Sequence, residues 1–233
     1  MEQEFTVEHH AVYYALLVKQ ALSYDEEQGK DRVLQATRRY GEDRGRRMAG
    51  EAQKNGDPLI PATYFVYGEL PAVTGESESA LSFENGHIHS TVTKCGWIEA
   101  WKRHGLLEYG RCYCEVIDEG VYAGFSPSLK LKIASRLSCG EDACRFDFGQ
   151  WKDTDGELVQ EAAGRLGDRF RKDFLFHTRK LKEVMGGYLE EVYGEKGFEM
   201  TKKADEEFGL IFGEKFSEAL TKEADCRGQG YGR

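Results

Sequence analysis

Proline is scarce in this chain, with four residues in 233. There is no Ser/Pro-rich linker, so the expected organisation is one α+β domain over residues 1–225, followed by a loose Gly-rich tail at 226–233. Long apolar runs are missing as well. No stretch approaches about 18 apolar residues, which excludes a membrane-spanning helix. Positive charge is in deficit: 32 Lys and Arg stand against 41 Asp and Glu, a net charge of -9. The basic residues are spread along the chain, which argues against nucleic acid and anionic membrane as partners. The opening MEQEFTVEHH lacks the basic-then-apolar order of a secretory signal. A cytoplasmic protein is expected, with its six cysteines mostly free. Dense metal motifs are lacking too. There is neither CxxC nor HExxH, and Cys112-x-Cys114 is too short to serve. No metal and no cofactor is expected. His87 and His89 share one pleat of a strand, but as a pair they would need a third ligand from Cys95, Cys114 or Asp118.

What the chain does hold is concentrated between Cys95 and Phe148. This stretch carries Cys95, Cys112, Cys114, Cys139 and Cys144, together with Trp97, Trp101, Tyr113 and Asp118. Trp97 and Trp101 stand at i and i+4, on one face of a short helix over Cys95–His104. Cys112–Tyr122 is rich in strand formers, yet Tyr113, Val116, Ile117 and Gly120 follow a helical period, and a helix is expected. Cys114 and Asp118 then share a face one turn apart. Leu129–Leu137 reads as a broken strand, Gly140-Glu141-Asp142 as a turn, and Cys144–Phe148 as the returning strand.

N-terminal helices are expected over residues 6–54. The first runs from Thr6 to Leu22 as an amphipathic helix, and the second from Asp31 to Ala52. In the second, Gly41 and Gly45 leave one face bare, so that a backbone or a ligand can approach closely. Arginines flank that face, and Arg44 and Arg47 are candidates for a substrate carboxylate, which a guanidinium suits. The sheet and central helices fall over 60–150. Thr63–Tyr67 reads as a strand, and Asn85-Gly86 as the turn of a hairpin over Leu81–Lys94. C-terminal helices follow over 156–225, the longest from Gly156 to Tyr193.

The order of these motifs carries a resemblance. His9–His10, YGEDRGRRMA at Tyr40–Ala49, YCEVIDEG at Tyr113–Gly120, GFSP at Gly124–Pro127 and LSCGEDACRF at Leu137–Phe146 resemble the L-2-amino-thiazoline-4-carboxylic acid hydrolase family. Cys112–Phe148 also resembles the small-molecule-binding 4-vinyl reductase domain. These likenesses imply an α+β fold, with a small antiparallel sheet packed against N-terminal and long C-terminal helices. They also imply a small-molecule substrate bearing a carboxylate, a cyclic amidine opened by C–N or C–S hydrolysis.

Residue chemistry supplies the candidates for that reaction. Cys114 is the expected nucleophile, with Asp118 orienting the amidine or a partner histidine. Cys95, at a strand-to-helix junction where a helix N-terminus favours thiolate, is the runner-up. His104 and His177 are candidate acid–base groups. Trp97, Trp101 and Tyr113 would line an apolar cavity with Arg44 and Arg47 at its polar end. Cys144 is expected as buried packing and Cys139 as hairpin filler. Two other classes compete: a non-catalytic binding or sensor module, and a helical scaffold that forms a homo-oligomer through its glycine faces.

Overall fold

A computed structural model describes residues 4–71 and 75–221. The expected tail with Cys226 lies outside them. The chain runs α1 (Val7–Tyr24), α2 (Gly29–Lys54), α3 (Pro61–Val66), β1 (Glu78–Glu84), β2 (His87–Lys94), α4 (Gly96–Arg103), α5 (Leu107–Phe125), β3 (Lys132–Ser135), β4 (Cys144–Gln150), α6 (Asp153–Leu166), α7 (Phe174–Leu181), α8 (Gly187–Tyr193), α9 (Glu195–Phe212) and α10 (Glu214–Thr221). The strands form one antiparallel sheet in the order β1-β2-β4-β3. The fold is the expected α+β arrangement, a small antiparallel sheet flanked by N- and C-terminal helices.

The β1–β2 hairpin turns where the sequence says it should. Asn85 and Gly86 hold φ of 53° and 73°, the left-handed pair that a two-residue hairpin turn needs. Cys112–Tyr122 is helical, inside α5.

Three expectations are corrected. Thr63–Tyr67 falls largely in α3, not a strand. Pro61 suits the first turn of a helix, and the Thr63 hydroxyl accepts from the Ile60 N–H at 3.2 Å, so local capping outweighs β-branched propensity. The long helix from Gly156 is broken. Gly167, with φ of 54°, ends α6, and Asp173 caps a new helix by accepting from the Phe176 N–H at 2.7 Å. A π turn over Lys182–Gly186 then links α7 to α8. Finally, α1 is buried on every side from His9 to Val18, where an amphipathic helix is expected. Its tyrosines tolerate this because each hydroxyl has a partner: Tyr13 donates to Asp205 at 2.7 Å, and Tyr14 bonds Thr37 at 2.9 Å.

The contact that places the site is α2 on α5. Gly41 and Gly45 meet Gly120 and Gly124, so the two backbones touch. A Cβ on Gly45 would stand 2.1 Å from the Val121 carbonyl, and one on Gly124 2.3 Å from that of Glu42. The bare face of α2 thus receives a backbone rather than a ligand.

Candidate functional site

The α2–α5 contact brings Arg44, beside Gly45, next to the face of α5 that carries Tyr113, Cys114, Ile117, Asp118 and Val121. These spacings, one and four residues apart, form one helical stripe. With α4 and the sheet they line a partly open cavity of about 340 Å³. Cys95 caps the N-terminus of α4, and Trp97 follows in its first turn. Val92 comes from β2, Cys144 and Phe146 from one pleat of β4, and Arg136 from the link after β3.

Six of the proposed site residues therefore meet: Arg44, Cys95, Trp97, Tyr113, Cys114 and Asp118 all line this cavity. Four others lie elsewhere. Trp101 is wholly buried, donates through its indole to the Ala11 carbonyl at 2.7 Å, and packs on Gly110. Arg47 is engaged by Asp43 and, at 2.9 Å, by the buried carboxylate of Glu69, with the Phe176 ring beneath it. His104 bonds Glu8 at 2.7 Å. His177 is buried behind the cavity, with Nε2 3.1 Å from the Glu69 carbonyl.

Arg136 escaped the sequence reading, because it sits in an irregular link with no periodicity to mark it. It donates to the Cys114 carbonyl at 2.9 Å, which ties it to α5. Cys144, expected as buried packing, is half-buried and lines the cavity, and Cys139 is exposed. The alternation of Cys144 with Phe146 was the available signal, since both face one side of β4. His87, outside the cavity, bonds Asp147 at 2.8 Å. Among the described residues no group of three His, Cys, Asp or Glu side chains is arranged for a metal.

The electrostatics follow from the burial of these groups. Burial raises the Asp118 carboxyl to about 6, although Arg44 and Arg136 pull it down. Burial also pushes the Cys114 thiol far up; the Ser138 hydroxyl opposes this, while Cys95, Asp118 and Cys144 add to it. Cys95 is raised by burial against the pull of the Ile98 and Trp97 amides. Cys144 is raised as well, with the Leu137 N–H 3.3 Å from its sulfur opposing. Arg44 is only 9% exposed, and its Nε–H has no hydrogen-bond partner among the described residues. On its other side a second cavity of about 360 Å³ also reaches Arg44 and Leu70. That cavity is larger; no thiol is among its lining residues, and its carboxylate is that of Asp168.

A buried arginine and an aspartate of raised pKa facing one small cavity, walled by aromatic rings and thiols, define an α+β protein with a charged site of small-molecule size. The chain belongs to the L-2-amino-thiazoline-4-carboxylic acid hydrolase family, whose model matches residues 4–148. That range contains every residue lining the cavity. No curated protein and no solved structure matches the chain. Among the described residues no helix is long and apolar enough to cross a membrane.

Proposed function

We propose that this protein hydrolyses a small cyclic amidine carboxylate of the thiazoline type. One observation carries the reading: Arg44 and Asp118, of opposite charge, share a cavity of about 340 Å³. Arg44, aided by Arg136, takes the carboxylate, and Asp118 faces the amidine. Trp97 and Tyr113 cover the ring.

A carboxyl that titrates near 6 is suited to general-base work at neutral pH. Ionised Asp118 takes a proton from water as the oxygen bonds to the carbon between ring nitrogen and sulfur. The adduct collapses, the C–S or ring C–N bond breaks, and the departing atom receives the proton back from Asp118. Cys114, expected as the nucleophile, is poorly suited to start this reaction. Burial and the neighbouring Asp118 both raise its thiol pKa, which disfavours the thiolate that would attack.

A covalent route is the second reading, favoured by the three thiols of Cys95, Cys114 and Cys144 on one cavity. There Cys95 is the better attacker, because amides at the start of α4 support its thiolate. Turnover of 2-amino-thiazoline-4-carboxylate by four variants decides the matter. Asp118→Asn should lose about 10²-fold or more in kcat, and Arg44→Met should mainly raise KM. Cys95→Ser and Cys114→Ser should keep kcat within a fewfold. Loss of turnover in either serine variant, with a thiol adduct by mass spectrometry, moves the mechanism to the covalent route. Saturable binding without product makes the protein a binder, the role that the 4-vinyl-reductase-like reading of Cys112–Phe148 implies.

A further inference from the structure

Four buried side-chain polar atoms have no hydrogen-bond partner among the described residues: His10 Nε2, Arg44 Nε, Trp97 Nε1 and His177 Nδ1. Native interiors leave few such atoms, and each is costly. These four belong to one cluster. The His10 ring centroid lies 6.2 Å from that of Trp97 and 6.4 Å from that of His177. The positive charge of Arg44 reaches both imidazoles. Arg44 and Trp97 also line the cavity.

The hydrogen positions follow from the neighbours. Thr178 spends its hydroxyl hydrogen on the Phe174 carbonyl at 2.6 Å. Toward His10 Nδ1, 3.4 Å away, it therefore accepts, so Nδ1 carries the hydrogen and Nε2 a lone pair. The Glu69 carbonyl likewise only accepts, so His177 Nε2 carries the hydrogen and Nδ1 a lone pair. Burial, reinforced by Arg44, keeps both rings neutral, with pKa lowered to about 3 for His10 and about 2 for His177. The cluster thus offers two N–H donors, on Arg44 and Trp97, and two acceptors, on His10 and His177.

We propose that, when a carboxylate ligand enters, the Trp97 indole N–H joins Arg44 in gripping it, and that His10 and His177 are positioning residues whose lone pairs then take the rear N–H groups of the guanidinium; as the structure stands none of these bonds is made. This rests on the reading above that the ligand is a carboxylate. It changes the expected roles of two residues. Trp97 is a donor as well as a ring wall, and His177 orients Arg44 rather than transferring protons to substrate. A small shift of Arg44 and Trp97 toward the ligand would then satisfy all four atoms at once, making an acid fit where a neutral analogue leaves them short.

The test uses 2-aminothiazole-4-carboxylate, an aromatic analogue chosen to resist ring opening, and its carboxamide. Calorimetry measures both on the wild type and on Trp97→Phe, His10→Phe and His10→Gln. Nitrogen NMR follows the Trp97 indole N–H of the wild type, which needs no variant to fold. The wild type should prefer the acid, and the acid should shift the indole resonance. Trp97→Phe and His10→Phe should each lose about tenfold in affinity for the acid and about twofold for the carboxamide, since bonds to a charged acceptor are the stronger. His10→Gln, which keeps an acceptor near the Nε2 position, should recover most of the loss. If the wild type binds the acid no better than the carboxamide, the carboxylate reading falls and this proposal with it. If the wild type prefers the acid, but both phenylalanine variants keep that preference and the indole resonance stays put, only the proposal is overturned.

Discussion

Adding one methyl group at Gly45 should damage this protein about as much as truncating a large core side chain. A Cβ there would lie 2.1 Å from the Val121 carbonyl oxygen, 2.5 Å from the Phe125 amide nitrogen and 2.7 Å from the Gly124 carbonyl carbon. All three are backbone atoms of α5, so no rotamer change relieves the clash. Reaching the 3.4 Å of ordinary contact means moving α5 by about 1.3 Å. Overpacking costs about 1–3 kcal/mol where side chains can yield, and here they cannot. Against this stands about 1 kcal/mol gained by replacing glycine with alanine inside a helix. The net loss for Gly45→Ala should be about 2–4 kcal/mol, or roughly 5–15 °C in Tm for a chain of this size. Gly50 supplies the control on the same helix. Its added Cβ would meet nothing within 4 Å, so Gly50→Ala should gain about 0.5–1 kcal/mol. Urea denaturation followed by circular dichroism reads both. If Gly45→Ala falls within about 0.5 kcal/mol of wild type, α2 and α5 are not in backbone contact and the placement of Arg44 beside Asp118 loses its basis.

Asp118 carries a stability signature. Its folded pKa, about 6, lies above the ordinary carboxylate value, so its contribution is fully present at low pH and is lost as pH rises through about 6. Asp118→Asn should therefore be the more stable protein above pH 7, by roughly 1–3 kcal/mol, and the gap should shrink below pH 5; equal stability at both pH values would contradict the raised pKa. Arg47→Met should cost about 3–5 kcal/mol, because it strands the buried carboxylate of Glu69, while leaving KM for the acid near that of wild type in whatever fraction folds. Tyr14→Phe should lose about 1 kcal/mol with its bond to Thr37, as measured by denaturation. Among Cys95, Cys112, Cys114, Cys139 and Cys144, exposed Cys139 should be alkylated first by iodoacetamide, and saturating ligand should slow the labelling of Cys95, Cys114 and Cys144 but not of Cys112 or Cys139; peptide mass spectrometry reads the order.

The elements that sequence reading recovers are those whose determinants are local. Asn85-Gly86 forces a turn by itself, and the 3.6-residue spacing along Tyr113–Val121 outweighs the strand-forming residues within it. The glycine face of α2 was legible as a close approach, and Arg44 as a cation beside it. What was not legible depends on distant partners. The sequence around Arg47 looks like that around Arg44, and only the arrival of Glu69 sends one guanidinium to an ion pair and leaves the other to the cavity. Trp97 and Trp101 share a face by spacing, yet Gly110 makes a slot that takes Trp101 into the core. Arg136 has no pattern at all, and its place depends on the Cys114 carbonyl.

The cavity also explains why a protein would keep so unfavourable a group as Arg44. A guanidinium that is only 9% exposed, with an orphaned Nε–H, lowers stability unless something repays its desolvation. Asp118 gives partial compensation through charge, and its own raised pKa records that the compensation is incomplete. Nothing in the packing requires a cation there, because the contact of α2 with α5 is made by glycines. The lining of the cavity ends at Phe146 and the family match at residue 148. Beyond them, α7 brings Phe174 and His177 against His10 and Trp97, closing the region behind Arg44. A helix beyond the matched residues thus packs against His10 and Trp97, while the cavity face that Arg44 lines lies within them.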